Sequence, residues 1–140
     1  MTATPIQTLN ARHSGIYLTP KSVPQLQQAA IQAGLVWFDL DLKSVTDKAG
    51  LLVLCRHELG FPETFGANWD ALADCLQDFS WRCAPGYVLN LLHAAGFAQT
   101  APQDFSLLLE ILDGAASYWK KQGKIFVTLI DHPHGGLTIF

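Results

Sequence analysis

Short, continuously apolar segments alternate along the chain with longer segments in which apolar residues recur every three or four positions. Three apolar runs are typical of buried strands: residues 35–40, 87–92 and 125–130. The recurring spacing predicts four helices: residues 23–33, 48–59, 69–79 and 104–122. Apolar strands separated by helices favour a small parallel sheet, and we expect helices to cover at least one of its faces. The pattern therefore predicts an α/β fold, with helices packed on a small parallel β-sheet.

The segments outside this pattern set the limits of the predicted domain. Residues 1–14 have no periodic pattern and are predicted to be an N-terminal tail. Residues 15–34 hold a short apolar run and a helix, an extra βα unit that we expect to pack on the same domain, residues 15–140. Glycine and proline predict irregular structure for residues 93–103, and residues 137–140 are a candidate short last strand.

Composition and charge exclude several classes of protein. Hydrophobic residues make up 49% of the 140 residues, which is enough for a buried core. No apolar run approaches the roughly 20 residues of a membrane-spanning helix, and the first residues lack the features of a signal peptide. We therefore expect a cytoplasmic protein that does not contact a membrane. Three cysteines, an odd number, favour reduced thiols, and a net charge of −3 argues against nucleic-acid binding.

The acidic residues are concentrated in the centre of the chain. Between His57 and Trp119 there are eight acidic residues and one basic residue, Arg82, a net charge of −7, whereas the rest of the chain carries +4. The eight are Glu58, Glu63, Asp70, Asp74, Asp78, Asp104, Glu110 and Asp113. Such an asymmetry steers association with a basic partner, and the alternative interpretation is that it only serves solubility.

The helix predicted at residues 69–79 separates an apolar face from a row of carboxylates. Its apolar face consists of Trp69, Leu72, Cys75, Leu76 and Phe79. Asp70, Asp74 and Asp78 follow i, i+4, i+8 spacing on the opposite face. Like charges at this spacing repel by about 0.2–0.5 kcal/mol per pair, and the helix dipole favours an acid only at Asp70. A cationic partner would account for all three carboxylates, and a solvated helix face is the alternative.

Residue types suited to catalysis or metal binding are present without a recognised arrangement. No GxSxG, HExxH, P-loop or GxGxxG pattern occurs, and Cys75 falls on the apolar face of its helix. His132 and His134 could supply two metal ligands, but two histidines in a Gly/Pro turn are also typical of a plain polar turn. We therefore expect no enzyme activity, no cofactor, no metal and no small-molecule substrate.

The loop before the acidic helix extends it into a longer motif. Residues 61–76 read FPETFGANWDALADCL: a loop with a proline, an aromatic–Gly pair, and then Asn-x-Asp-Ala-Leu-x-Asp on a helix. This motif resembles the signature of the barstar family of intracellular ribonuclease inhibitors. The resemblance continues in order through the later strands and the long helix, so it covers residues 35–130. The first 34 residues have no counterpart in it.

The resemblance implies a barstar-like fold and a tight complex with a basic ribonuclease, as for an immunity protein or antitoxin. In that family the acidic helix and its loop block the enzyme's active site, with a carboxylate where a substrate phosphate would bind. The family's two central aspartates correspond to Asp70 and Asp74. Its loop glycine and helix-capping asparagine correspond to Gly66 and Asn68.

Three contact positions depart from the family pattern. The family's loop tyrosine is Thr64 here, its tryptophan before the second aspartate is Ala73, and its threonine one turn later is Gln77. A supporting glutamate near the end of the long helix also has no counterpart at residues 117–119. Aromatic anchors largely decide which partner fits, so we expect a basic nuclease other than barnase. The alternative is an interaction module that reuses the fold without a nuclease partner.

Overall fold

Four parallel strands form the centre of the protein. In the computed structural model, which describes residues 9–140, their spatial order is β1-β4-β3-β2. The strands are β1 (Gly15–Leu18), β2 (Val36–Asp41), β3 (Gly86–Leu92) and β4 (Ile125–Ile130). The five α-helices of this part of the chain are α1 (Val23–Gln32), α2 (Lys48–Leu59), α3 (Trp69–Leu76), α4 (Ala94–Thr100) and α5 (Pro102–Lys121). The predicted parallel α/β fold is confirmed.

Both faces of the sheet are covered, which explains why its central strands are apolar throughout. Alternate residues of β3 point to opposite faces: Tyr87, Leu89 and Leu91 join a core with α2, α3 and α5, whereas Val88 packs toward α1. All residues of β4 are buried. Strand β1 extends this sheet by pairing with β4, so the βα unit at residues 15–34 is part of the same sheet structure.

Helix α4 lies where Gly96 and Pro102 led us to expect irregular structure, so that prediction was wrong. The helix is capped from a distant part of the chain. The carboxylate of Asp131 accepts hydrogen bonds from the backbone N–H groups of His93 and Ala94, at 2.7 and 3.0 Å. Pro102 does not break a helix but occupies the first turn of α5, where a missing N–H costs nothing.

Part of the segment predicted to be a tail packs against the sheet. Residues 1–8 lie outside the described residues. Ala11–His13 form a 3₁₀ turn, and the hydroxyl of Ser14 donates to the carbonyl of Ala11 at 2.7 Å. The same hydroxyl accepts a hydrogen bond from the N–H of Phe126 at 3.0 Å. These contacts tie the segment before β1 to the start of β4, and no local periodicity could have indicated them.

Gly86 permits the close approach of β3 and β4, and we expect Gly86→Ala to destabilise the protein. A Cβ at this position would collide with the side chain of Ile125 and would lie 2.6 Å from the Ile125 carbonyl oxygen. That oxygen belongs to the paired strand and cannot rotate away, so the strands must separate locally. Such overpacking costs about 1–3 kcal/mol in the free energy of unfolding, measured by urea denaturation.

The matched control is Gly96→Ala in α4. A Cβ there meets no atom within 4 Å, and the position is helical. Replacing a helical glycine by alanine stabilises a protein by about 0.5–1 kcal/mol. Equal stability of the Gly86→Ala variant and the wild type would contradict the close-packing argument.

Candidate partner-binding site

The start of α3 is fixed by a side-chain cap. The Oδ1 atom of Asn68 accepts a hydrogen bond from the backbone N–H of Ala71 at 2.7 Å, as the sequence predicts for an N-cap asparagine. Gly66 allows this cap to sit close to the loop, since a Cβ at that position would lie only 3.3 Å from Asn68 Nδ2. This hydrogen bond supplies a partner for one of the backbone N–H groups that a helix leaves free at its start.

Buried aromatic rings hold the loop before α3 against the core. Phe61 and Phe65 are buried, with ring centroids 4.9 Å apart. Trp81 packs edge-on against Phe61, and its indole N–H donates to the carbonyl of Leu59 at 3.2 Å. The aromatic residues of this loop therefore serve as anchors toward the interior, while Thr64 between them is exposed.

The C-terminal end of α3 packs against α5 and is hydrogen-bonded to it. Leu72 and Leu76 are fully buried, and the indole N–H of Trp119 in α5 donates to the carbonyl of Leu76 at 2.8 Å. The sequence could not show this hydrogen bond, because the two residues are 43 positions apart. It satisfies one of the carbonyl groups that a helix leaves without a partner at its C-terminus.

Asp70 and Asp74 are exposed on the opposite side of α3, one helical turn apart. Neither carboxylate forms an ion pair or a side-chain hydrogen bond with any residue of 9–140; the ion pairs in this part of the chain are His57–Glu58 and His93–Asp41. Both negative charges are therefore available to a partner. Asp70 lies in the first turn, where the helix dipole stabilises it, and Asp74 lacks that support.

Asp78 lies beyond the end of α3, so the prediction that it continues the row of carboxylates on this helix was wrong. Helix α3 ends at Leu76, and Phe79 has a left-handed backbone with φ of 49°. This bend buries the Phe79 ring against Tyr87, with centroids 4.4 Å apart. Asp78 lies in the resulting turn and accepts a hydrogen bond from Ser80 Oγ at 3.2 Å. Burial of one aromatic ring overrides the helical spacing that the sequence suggested.

Ala73 and Gln77, the remaining predicted contact positions, are half-buried. Gln77 Nε2 lies 4.0 Å from the place where a Gly114 Cβ would be, so Gln77 borders α5. The predicted set consists of Thr64, Gly66, Asn68, Asp70, Ala73, Asp74 and Gln77. All seven residues lie in α3, at its two ends or in the loop before it.

The residues considered for catalysis or metal binding do not converge on one centre. No group of three or more potential metal-ligating side chains occurs in the described part of the chain. The rings of His132 and His134 pack edge-on against Phe105. His93 Nδ1 lies 2.9 Å from Asp41 Oδ1, and this hydrogen bond, with one from the N–H of Lys43, lowers the pKa of Asp41. That pair ties the ends of β2 and β3 together.

The three thiols are expected to differ in reactivity. Burial raises the pKa of Cys55 to about 12. Partial burial, followed by the charges of Asp78 and Asp74, raises the pKa of Cys75, whereas Cys83 is exposed. Because the thiolate is the reactive form, a disulfide reagent at pH 8 should label Cys83 fast, Cys75 slowly, and Cys55 only after denaturation. Fast labelling of more than one cysteine in the native protein would contradict this order.

Comparison with known families identifies the chain. Its parallel sheet covered by helices defines the α/β class of fold, and α3 carries two exposed carboxylates, those of Asp70 and Asp74. A family model described as Barstar (barnase inhibitor) matches residues 35–131, more than half of the chain. The chain belongs to the barstar family. The match leaves out β1, α1 and the segment after Asp131, and no curated protein matches the chain. Among residues 9–140 no helix is long and apolar enough to cross a membrane.

Proposed function

We propose that the chain inhibits a basic ribonuclease by covering the enzyme's active site with α3 and the loop before it. A ribonuclease must hold an anionic phosphate backbone, so its active site presents cationic side chains. The exposed carboxylates of Asp70 and Asp74 offer the charge that such a site binds. The observation that carries the proposal is this unpaired carboxylate pair on an anchored helix, in a chain of the barstar family.

The pre-formed shape of the site supports tight binding. The cap at Asn68 and the hydrogen bond from Trp119 to Leu76 fix both ends of α3. Two carboxylates on a rigid helix meet their cationic partners without the entropic cost of ordering a loop. The central acidic segment, with its net charge of −7, speeds the encounter with a basic protein.

The side chains around the carboxylates select the partner. Thr64, Ala73 and Gln77 are small or polar, so this surface offers no aromatic side chain at these three positions. We infer that the partner is a basic ribonuclease other than barnase, with bulkier side chains facing Ala73. The chain would act in the cytoplasm as an immunity protein or antitoxin, through protein–protein contact alone, without catalysis, cofactor or nucleic acid.

The test is inhibition of RNA cleavage by a panel of purified barnase-type ribonucleases, with barnase included. An equimolar amount of the chain should block at least one enzyme, barnase less than that one, and raising the salt concentration should weaken the inhibition. If no enzyme of the panel is inhibited or bound, the ribonuclease proposal fails. A non-nuclease interaction module on the same fold would then be the better interpretation.

A further inference from the structure

A groove runs along the side of α5 that faces β1 and the C-terminal segment. Its volume is about 800 Å³, and it is open to solvent along its length. One wall consists of α5 side chains between Pro102 and Asp113, and the other of Ile16 in β1 with His134 and Leu137. Ile16, His134 and Leu137 all lie outside the residues that match the barstar family. This chain therefore adds the second wall to the family fold.

The C-terminal segment holds that wall in place. Ile139 bridges to Leu18 in β1, and the N–H of Leu18 donates to the carbonyl of Thr138 at 2.8 Å. The N–H of Phe140 in turn donates to the carbonyl of Leu18 at 3.1 Å, and the Phe140 ring packs edge-on against Tyr17. The residues that directly follow Leu137 are therefore attached to β1 by backbone hydrogen bonds, which hold Leu137 beside the groove.

The groove combines an apolar lining with an acidic rim. Ile16 and Leu137 on one wall and Leu107 and Leu109 on the other supply the apolar lining. Glu110 and Asp113 are exposed, less than one helical turn apart, and form no ion pair within residues 9–140. Among the described residues, no lysine or arginine lines the groove. Two like charges at this spacing repel each other, so this pair does not stabilise α5 and leaves the rim with an uncompensated negative charge.

We propose that this groove binds a short extended segment of another protein in which apolar side chains alternate with lysine or arginine. The apolar residues would contact the apolar lining of the groove, and the cationic residues would face Glu110 and Asp113. The α5 wall from Pro102 to Asp113 is about 17 Å long, at 1.5 Å per residue, which matches about five residues of extended chain. This site is distinct from the proposed ribonuclease-binding surface, because none of the described residues that line the groove belongs to α3 or to the loop before it.

The test uses two synthetic peptides, acetyl-KLKLK-amide and acetyl-ELELE-amide, added to isotope-labelled full-length protein and followed by NMR. The lysine peptide should bind saturably and shift the signals of Ile16, Leu107 and Leu137, and the glutamate peptide should not. The double variant Glu110→Gln with Asp113→Asn should weaken binding at least fivefold. The control variant Asp70→Asn, which removes one acid from α3, should leave the dissociation constant unchanged.

Three results would overturn the proposal. The first is shifts confined to α3 and lost in Asp70→Asn, which would show that the peptide only follows the general acidity of the protein. The second is equal binding of both peptides, or of neither, because the acidic rim would then have no role. The third is a dimer in sedimentation that dissociates in the double variant, which would assign the groove to a second copy of this chain. None of these results bears on inhibition of a ribonuclease through α3.

Discussion

Asp74→Ala is expected to weaken binding to the inhibited ribonuclease more than any other single change on α3. Truncating a charge that pairs with buried cations costs about 2–5 kcal/mol or more, roughly a 30-fold to several-thousand-fold rise in Kd. Much of this cost arises because the cations of the enzyme lose their partner. Asp74 has no competing partner among residues 9–140, and its neighbour Ala73 is small enough to let a partner approach closely.

The order of effects along the helix follows from position. Asp70→Ala should weaken binding less than Asp74→Ala, because the dipole at the start of α3 already compensates part of the Asp70 charge. Asp78→Ala is the matched control, since Asp78 lies beyond the helix and is engaged with Ser80. It should change affinity by less than fivefold and so mark the end of the binding face.

Stability measurements show whether Asp74→Ala weakens binding by removing a contact or by disturbing the fold. Asp74→Ala removes a like charge one turn from Asp70 and introduces a better helix former, so thermal stability should stay equal or rise slightly. Titration of the complex at two salt concentrations should show a smaller salt dependence for the variant. Wild-type affinity of a normally folded Asp74→Ala protein would remove α3 from the proposed interface.

Local patterns predicted the elements that local interactions determine. The limits predicted for α2 and β4 agree with the structure, because Asp47 and Gly60 cap the helix within its own sequence and β4 is apolar throughout. Helix α4 was missed because its cap, Asp131, is 37 residues away from Ala94 in the sequence. The end of α3 was placed too late because the packing of Phe79 on Tyr87 bends the chain there.

In the candidate site, too, the sequence predicted the features that local interactions determine and missed those that depend on distant segments. The motif placed Asn68, Asp70 and Asp74 correctly relative to one another, because a capped helix fixes their spacing. The sequence could not show that α5 borders Gln77, since α5 lies more than 20 residues later in the chain. Nor could it show the groove beside α5, because that groove is formed by segments from both ends of the chain.

Trp119→Ala is expected to be among the most destabilising single substitutions in the protein. The indole is 6% exposed, packs on Tyr87 with centroids 5.5 Å apart, and is the donor to the carbonyl of Leu76. Truncating a buried tryptophan costs about 3–5 kcal/mol, which should lower the thermal midpoint by about 10 °C or more. Calorimetry of the free protein is the direct measurement.

Trp119→Phe separates ring packing from the hydrogen bond. Phenylalanine keeps an aromatic ring against Tyr87 but leaves the Leu76 carbonyl without its donor, which costs about 1–3 kcal/mol. This variant should remain folded at 25 °C while the amides of the last turn of α3 exchange faster with solvent. Asp74 lies in that turn, so ribonuclease binding should weaken through faster dissociation while the on-rate is maintained. If Trp119→Phe loosens α3 without changing the dissociation rate, a rigid helix is not required for inhibition, and the carboxylates act through charge alone.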